Sequence, residues 1–318
     1  MIYNELGKTG IRISKICFGS LTLGPLCANL DLSTGTALLV DAFRRGINFV
    51  DSAELYQTYP YIRSALNQIE APERIIVAGK TFVYSDIEAS WAIEEMRIEL
   101  RRETLDIFLL HEVRDTKDFF EREDVWRVLR EAKANGIIKA IGLSTHSAEV
   151  AAWAAEVADV DIIHPMLNMD GIGILDGGTL NMLAAIAKAK QNGKGVYTMK
   201  AIGGGALMHK AQAALKWAFD QSYVDSIAVG FKDKSELATN IGWLLGYDPP
   251  EAKKVLLLDR NIVFDKEPKC HGCGNCVRRC ANEAMVLDAN GQAVWQKANC
   301  LYCGYCIAAC PWFCLSFC

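Results

Sequence analysis

Ten of the chain's twelve cysteines crowd into its last 49 residues, and their spacing is that of metal ligands. Residues 270–280 read Cys270-His-Gly-Cys273-Gly-Asn-Cys276-Val-Arg-Arg-Cys280. Residues 300–311 repeat the spacing as Cys300-Leu-Tyr-Cys303-Gly-Tyr-Cys306-Ile-Ala-Ala-Cys310-Pro311. Two residues between cysteines let a tight turn aim three thiolates at one face of an iron–sulfur cluster, and a fourth ligand then arrives from elsewhere. Glycine at 272, 274 and 304 suits backbone that passes close to sulfide. Zinc also takes paired C-x-x-C units, but with four ligands to each ion it does not account for a doubled three-plus-one pattern.

Residues 268–311 resemble the two-cluster bacterial ferredoxins on these eight cysteines. The resemblance implies that each run lends its last cysteine to the other. Cys270, Cys273, Cys276 and Cys310 would then hold one 4Fe-4S cluster, and Cys280, Cys300, Cys303 and Cys306 the second. Ala281 stands where the first run often carries proline. The chain ends Pro311-Trp-Phe-Cys314-Leu-Ser-Phe-Cys318, which reads as a short apolar helix with both thiols on one face, packed as small hydrophobes.

A second set of reactive residues lies in the cysteine-poor part, where Asp51, Tyr56, Lys80 and His111 each fall at or just after an apolar run. Brought together, these four define a chemistry. A lysine ammonium near a phenol stabilises the phenolate and makes the tyrosine a better acid. Asp51 would keep Lys80 charged and oriented against the tendency of a buried lysine to neutralise. Tyr56 could then protonate a carbonyl oxygen as hydride reaches the carbon, with His111 giving a second hydrogen bond to that oxygen.

Eight strands with intervening helices are needed to bring the four together. Apolar β-rich runs predict strands over 16–20, 47–51, 75–80, 105–111, 140–144, 161–167, 195–200 and 226–230. Helical patterns cover 34–45, 60–69, 86–101, 119–134, 147–156, 179–192, 209–221 and 234–245. Strands too apolar to have a wet face, in strand–helix units of about 30 residues, predict a parallel sheet closed into a (β/α)8 barrel over 1–245. An open doubly wound sheet would want a G-x-G-x-x-G fingerprint after its first strand, and the chain has Gly19-Ser-Leu-Thr-Leu-Gly24 instead. In a barrel, chemistry sits where strands end, which is where Asp51, Lys80 and His111 fall.

The segments Gly46-Ile-Asn-Phe-Val-Asp51-Ser-Ala-Glu-Leu-Tyr56, Ile76-Val-Ala-Gly-Lys80-Thr and Leu105-Asp-Ile-Phe-Leu-Leu-His111 are similar to the tetrad-bearing strands of the aldo-keto reductases. The likeness extends over residues 1–245, including the opening Leu6-Gly-Lys-Thr-Gly-Ile-Arg-Ile-Ser. It implies an NAD(P)H-dependent carbonyl reductase with no metal among the four. Ser144 matches the family serine near the nicotinamide carboxamide, while Thr145 replaces the usual asparagine and His164 a common glutamine. Gly203, Gly204 and Gly205 form a small-residue loop that lets backbone amides approach a pyrophosphate. Glu236 and Asn240 resemble the family's adenine contacts, and Lys232 or Lys234 would hold a 2′-phosphate, favouring NADP over NAD.

The net charge of −4 gives no general basic surface for nucleic acid. With no secretory pattern at the amino terminus and no run of 18 apolar residues, a soluble, cytoplasmic protein without membrane contact is expected. Residues 246–267, with Asp248-Pro-Pro, an apolar Val255-Leu-Leu-Leu258 and few glycines or serines, read as a docking linker to an iron–sulfur domain over 268–318. In the related reductases the chain after the eighth unit covers the active-site mouth. Here the iron–sulfur domain is expected to take that place and set a cluster near the rim. Three functions follow. One is NAD(P)H-linked reduction of a small carbonyl, or the reverse alcohol oxidation, with clusters serving a ferredoxin or another electron-transfer protein. Another is a barrel that reduces its substrate with cluster electrons and no nicotinamide. The third is an electron carrier or redox sensor on a barrel scaffold, against which the intact tetrad argues.

Overall fold

The computed structural model describes residues 1–250, 262–264, 270–280, 282–300, 304–310 and 314–317. Ala281, Cys303, Pro311, Cys318 and the apolar run of the linker lie outside the described residues. Eight parallel strands close into a barrel: β3 (Ile16–Gly19), β4 (Phe49–Asp51), β5 (Ile76–Thr81), β6 (Leu105–Leu110), β7 (Ile138–Thr145), β8 (Ile162–Pro165), β9 (Gly195–Thr198) and β10 (Ser226–Val229), with β10 returning to β3. A hairpin of β1 (Tyr3–Glu5) and β2 (Arg12–Ser14) precedes it. Leu6, Ile11 and Ile13 of that hairpin join the core inside the barrel. The connection runs so close beneath β9 that a Cβ on Gly7, whose φ is +57°, would sit 2.2 Å from the Gly195 amide nitrogen.

Helices α1 (Leu32–Arg44), α2 (Tyr59–Leu66), α3 (Asp86–Leu100), α4 (Thr116–Glu121), α5 (Glu123–Ala134), α6 (Ala148–Ala154), α7 (Thr179–Gln191), α8 (Ala211–Phe219) and α9 (Lys234–Leu245) pack outside the barrel over one continuous apolar layer. Several of them start at side chains that satisfy first-turn amides, among them Asp31 for Thr34, Ser85 for Glu88 and Asp233 for Glu236. The single helix expected over 119–134 is two, α4 and α5, broken at Arg122. Arg122 is 1% exposed and turns inward, donating to the Asp118 carboxylate at 2.6 Å and to the His111 carbonyl oxygen at 2.9 Å. That inward turn accounts for the break.

The barrel interior is layered by the two-residue period of its strands. Phe49, Ala78, Leu109 and Ile162 point into the inner core. The residues two positions further along the same strands or just past them are Asp51, Lys80, His111 and His164. The registers Asp51 to Ala78 and Lys80 to Leu109 stagger these side chains into one layer at the C-terminal rim.

The C-terminal part adds β11 (Ile262–Phe264), α10 (Asn275–Arg279), β12 (Met285–Leu287), β13 (Ala293–Trp295), α11 (Tyr305–Ala308) and β14 (Leu315–Phe317). Strand β11 falls in the stretch read as linker and pairs antiparallel with β14. The apolar helix expected after Pro311 is therefore a strand among the described residues. The segment is too short to nucleate a helix, and β11 offers it a ladder of hydrogen-bond partners. Cys314 and Leu315 are buried in the process.

Candidate active site

The four residues singled out in the cysteine-poor part meet at the rim. Lys80, 1% exposed, donates from Nζ to Asp51 Oδ1 at 2.6 Å and to the Ser52 carbonyl oxygen at 2.7 Å. Burial lowers the Lys80 pKa, and the Asp51 carboxylate opposes that shift. Tyr197 of β9 donates from its hydroxyl to the same Asp51 oxygen at 2.9 Å, and burial first, then Asp51, pushes its own pKa well above 10. Tyr56 rides a single 3-10 turn over Glu54–Tyr56. This turn is pinned by Glu54, which accepts from the Phe82 amide at 3.0 Å and the Thr81 hydroxyl at 2.9 Å. Lys80 Nζ lies 5.0 Å from the Tyr56 ring centre, and the Tyr56 hydroxyl lies 3.4 Å from His111 Nε2.

His111 packs flat on Phe82 with ring centres 3.9 Å apart. Burial and then the Lys80 charge hold its pKa well below 6.5, so the imidazole is neutral. Its backbone amide donates to the Thr81 carbonyl oxygen, and its carbonyl oxygen accepts from Arg122. A neutral imidazole fixed in this way presents Nε2 to an oxygen shared with Tyr56.

His164 joins this layer. Its Nε2 lies 3.7 Å from Asp51 Oδ1, its Nδ1 donates to the Tyr197 carbonyl oxygen at 2.7 Å, and its ring stacks on Tyr197. Burial above all holds its pKa at about 4. Ser144 Oγ accepts from the Glu112 amide at 2.8 Å, and Thr145 Oγ1 is engaged with the Val113 carbonyl oxygen and the Ser147 amide. The Thr145 hydroxyl is thus committed within the protein as both donor and acceptor, and the Ser144 hydroxyl as an acceptor.

The residues expected at an adenosine end fit a nucleotide better. Gly203, Gly204 and Gly205 all take positive φ in a tight turn after β9, although the Gly203 and Gly205 amides are taken by the Lys200 and Ile202 carbonyl oxygens. At the start of α9, Glu236 accepts from the Lys232 amide at 2.8 Å, with Lys234 opening the helix. Asn240 Nδ2 donates to the Glu236 carbonyl oxygen, leaving its buried Oδ1 with no hydrogen-bond partner, an acceptor poised for an incoming amino group.

The cysteines also fit the groups that their spacing implies. Cys270, Cys273, Cys276 and Cys310 line one cavity with His271, Gly274 and Cys314. Cys280, Cys300 and Cys306 pack into the same small core, and Cys303 lies outside the described residues. Backbone amides aim at the sulfurs as cluster thiolates require: Gly272 and Ala293 at Cys270, Ala284 at Cys280, and Cys314 at Cys310, over 3.2 to 3.5 Å. Gly272 and Gly274 have φ of +68° and +73°, and a Cβ on Gly272 would lie 2.3 Å from the Gly291 carbonyl oxygen.

One residue of this module completes the rim. Tyr305, at the start of α11 and 4% exposed, sets its hydroxyl 3.1 Å from the Tyr56 hydroxyl and 3.1 Å from His111 Nε2. Its ring packs edge-on to Phe82 and His111, within a small cluster that includes Leu26 and Ala53. Arg279 of α10 lies 3.9 Å over the outer Phe82 ring, and Asn282 donates to the Gly173 carbonyl oxygen. The iron–sulfur module thus covers the mouth of the barrel. Tyr305 was not among the residues chosen from sequence. The signal for it was the bulky aromatic at a position where the first cysteine run has asparagine.

Residues 15–211 match the aldo/keto reductase family and residues 262–311 match the 4Fe-4S dicluster domain. The chain belongs to the aldo/keto reductase family and carries a C-terminal 4Fe-4S dicluster domain. It is 26% identical over 180 residues to the aldo-keto reductase YhdN of Bacillus subtilis, covering 53% of this chain and 54% of that protein. It is 24% identical over 213 residues to L-galactose dehydrogenase of Arabidopsis thaliana, covering 64% and 66%. The match therefore spans between half and two thirds of these relatives' lengths. The solved structure of aldo-keto reductase AKR11C1 from Bacillus halodurans superposes with a TM-score of 0.65 at 16% identity, over 80% of this chain and 94% of that one, which establishes the fold. Among the described residues, no helix is long and apolar enough to cross a membrane.

Proposed function

We propose that the protein reduces a small carbonyl compound, or oxidises the corresponding alcohol, with Tyr56 as the proton donor. The observation that carries this reading is the point shared by Tyr56 and His111, whose hydroxyl and Nε2 both lie 3.1 Å from one oxygen. A carbonyl oxygen there would receive a proton from Tyr56 and a hydrogen bond from neutral His111. Asp51 keeps Lys80 oriented beneath the Tyr56 ring, where its charge favours the phenolate that proton donation leaves behind. A bound NAD(P)H would supply the hydride. Lys232, Lys234, Glu236 and Asn240 would hold its adenosine end, Gly203, Gly204 and Gly205 its pyrophosphate, and Ser144 and His164 would border its ring.

Cys270, Cys273, Cys276 and Cys310 would ligate one cluster, and Cys280, Cys300, Cys303 and Cys306 the other, with an external ferredoxin-like protein as electron partner. The Tyr305 contact favours a second reading, in which cluster electrons serve the barrel site directly. Titrating anaerobic, cluster-loaded protein with NADPH and then NADH separates the two. Saturable quenching of tryptophan fluorescence supports nicotinamide binding, and bleaching of the cluster absorbance in addition shows exchange between the redox systems. Silence in both channels removes the nicotinamide.

A further inference from the structure

The Tyr305 hydroxyl occupies the place where the reading above puts the substrate's oxygen. Its 3.1 Å distances to the Tyr56 hydroxyl and His111 Nε2, with those two atoms 3.4 Å from each other, form a closed triangle of hydrogen-bonding atoms. A third oxygen cannot enter that triangle while the phenol is in it. Tyr56, Lys80 and His111 are all buried under this arrangement. The ring of Tyr305 packs against this group, with Lys200 Nζ 5.9 Å and the Phe82 ring centre 5.6 Å from its own centre. Tyr305 is the residue before Cys306 in the second cysteine run, so the segment that plugs the barrel also lines the iron–sulfur core.

We propose that Tyr305 is a tethered occupant of the carbonyl-oxygen site, so that substrate and the docked cluster loop exclude each other. This rests on the assignment of Tyr56 and His111 as the oxygen-binding pair. Substrate enters only when the phenol withdraws, which separates Tyr305 from Phe82 and His111 and loosens α11 from the barrel. By linkage, an occupant of the site favours the undocked loop as strongly as the docked loop disfavours the occupant. The apparent affinity for substrate is then reduced by the fraction of molecules that are open.

Binding tests this without turnover. Acetophenone is a suitable probe because an aryl group with an oxygen matches the volume and polarity that the phenol vacates. It is titrated calorimetrically into anaerobic, cluster-loaded full chain as wild type, Tyr305→Phe and Tyr305→Ala. Tyr305→Phe keeps the ring and loses the hydroxyl's hydrogen bonds, so the probe should bind about fivefold more tightly, as expected for about one net hydrogen bond. Tyr305→Ala should bind it more than about tenfold more tightly. Saturating probe should also speed iron release to a chelator in the wild type and not in Tyr305→Ala. Equal affinities in all three proteins, tighter binding to the wild type, or no binding to any of them overturns the proposal. If Tyr305→Ala fails to load clusters, Tyr305→Phe alone decides. The proton-donor reading fails separately, by turnover in Tyr56→Phe.

Discussion

His164 should stay neutral far into the acid range and make the protein acid-sensitive as a result. It is wholly buried beside Lys80. Burial, followed by the Lys80 charge, holds its pKa at about 4 against the pull of Asp51 and of the Tyr197 carbonyl oxygen. The unfolded chain takes up that proton near pH 6.5. Between about pH 6.5 and 4 the unfolded state binds a proton that the folded state refuses, so stability is present above this window and is lost as the pH falls through it. The gap of about 2.5 pH units corresponds to about 3 kcal/mol in full. Carbon-labelled histidine NMR on the anaerobic protein reads the titration directly. Urea unfolding followed by tryptophan fluorescence at pH 7, 6 and 5 reads the stability. His164→Gln should remove about one proton from the acid slope, leaving the share of His111 and His146, whose pKa values burial also lowers. Lys80→Met should raise the His164 midpoint by removing the repelling charge, and would place a charged imidazole 3.7 Å from Asp51. A His164 midpoint near 6.5, or an acid slope unchanged in His164→Gln, refutes the reasoning.

Other substitutions test the remaining parts. Tyr56→Phe should cut carbonyl reduction by about 10²- to 10⁴-fold while cofactor affinity, read by fluorescence quenching, stays nearly unchanged. Cys276→Ala should lower iron content from about eight atoms per chain to about four, whereas Cys314→Ala should keep about eight. Arg122→Met removes the charged partner of Asp118, which keeps its hydrogen bonds from the Tyr84 hydroxyl and the Arg114 amide, and releases the His111 carbonyl oxygen, so it should cost about 1 to 3 kcal/mol in urea unfolding and weaken turnover.

The barrel was legible because buried parallel strands have no wet face, so apolar runs marked all eight. The tetrad was legible because Asp51, Lys80 and His111 interrupt that apolar pattern at strand ends. His164 could have been placed by the same parity, since Ile162 lies two residues before it in the inner layer. Family likeness adds a place beside the nicotinamide ring, and its Nε2 lies 3.7 Å from Asp51 Oδ1. The amino-terminal hairpin was harder to see. Its strands are three residues each, and its burial depends on docking beneath Gly193 and Gly195, which no local pattern shows. The break between α4 and α5 was hidden because Arg122 sits in a good helix sequence and turns inward only to meet His111 and Asp118. The terminal strand β14 depends on β11, about 50 residues away, and a short apolar segment gives no sign of such a partner.

The two cysteine runs carry the least expected link between the halves of the chain. Their spacing is identical and both use a left-handed glycine before the short helix, Gly274 with φ of +73° and Gly304 with φ of +79°. They differ in the next residue. In the first run Asn275 turns back to Arg278 on its own helix. In the second, Tyr305 reaches the Tyr56 hydroxyl. The turn that presents cysteines to a cluster fixes the direction of this intervening side chain, so a loop built for iron–sulfur chemistry is also a rigid mount for a phenol. On the proposal above, a change in the packing of that loop would reach the barrel site through Tyr305. The converse holds equally, because whatever displaces the phenol must move the residue next to Cys306.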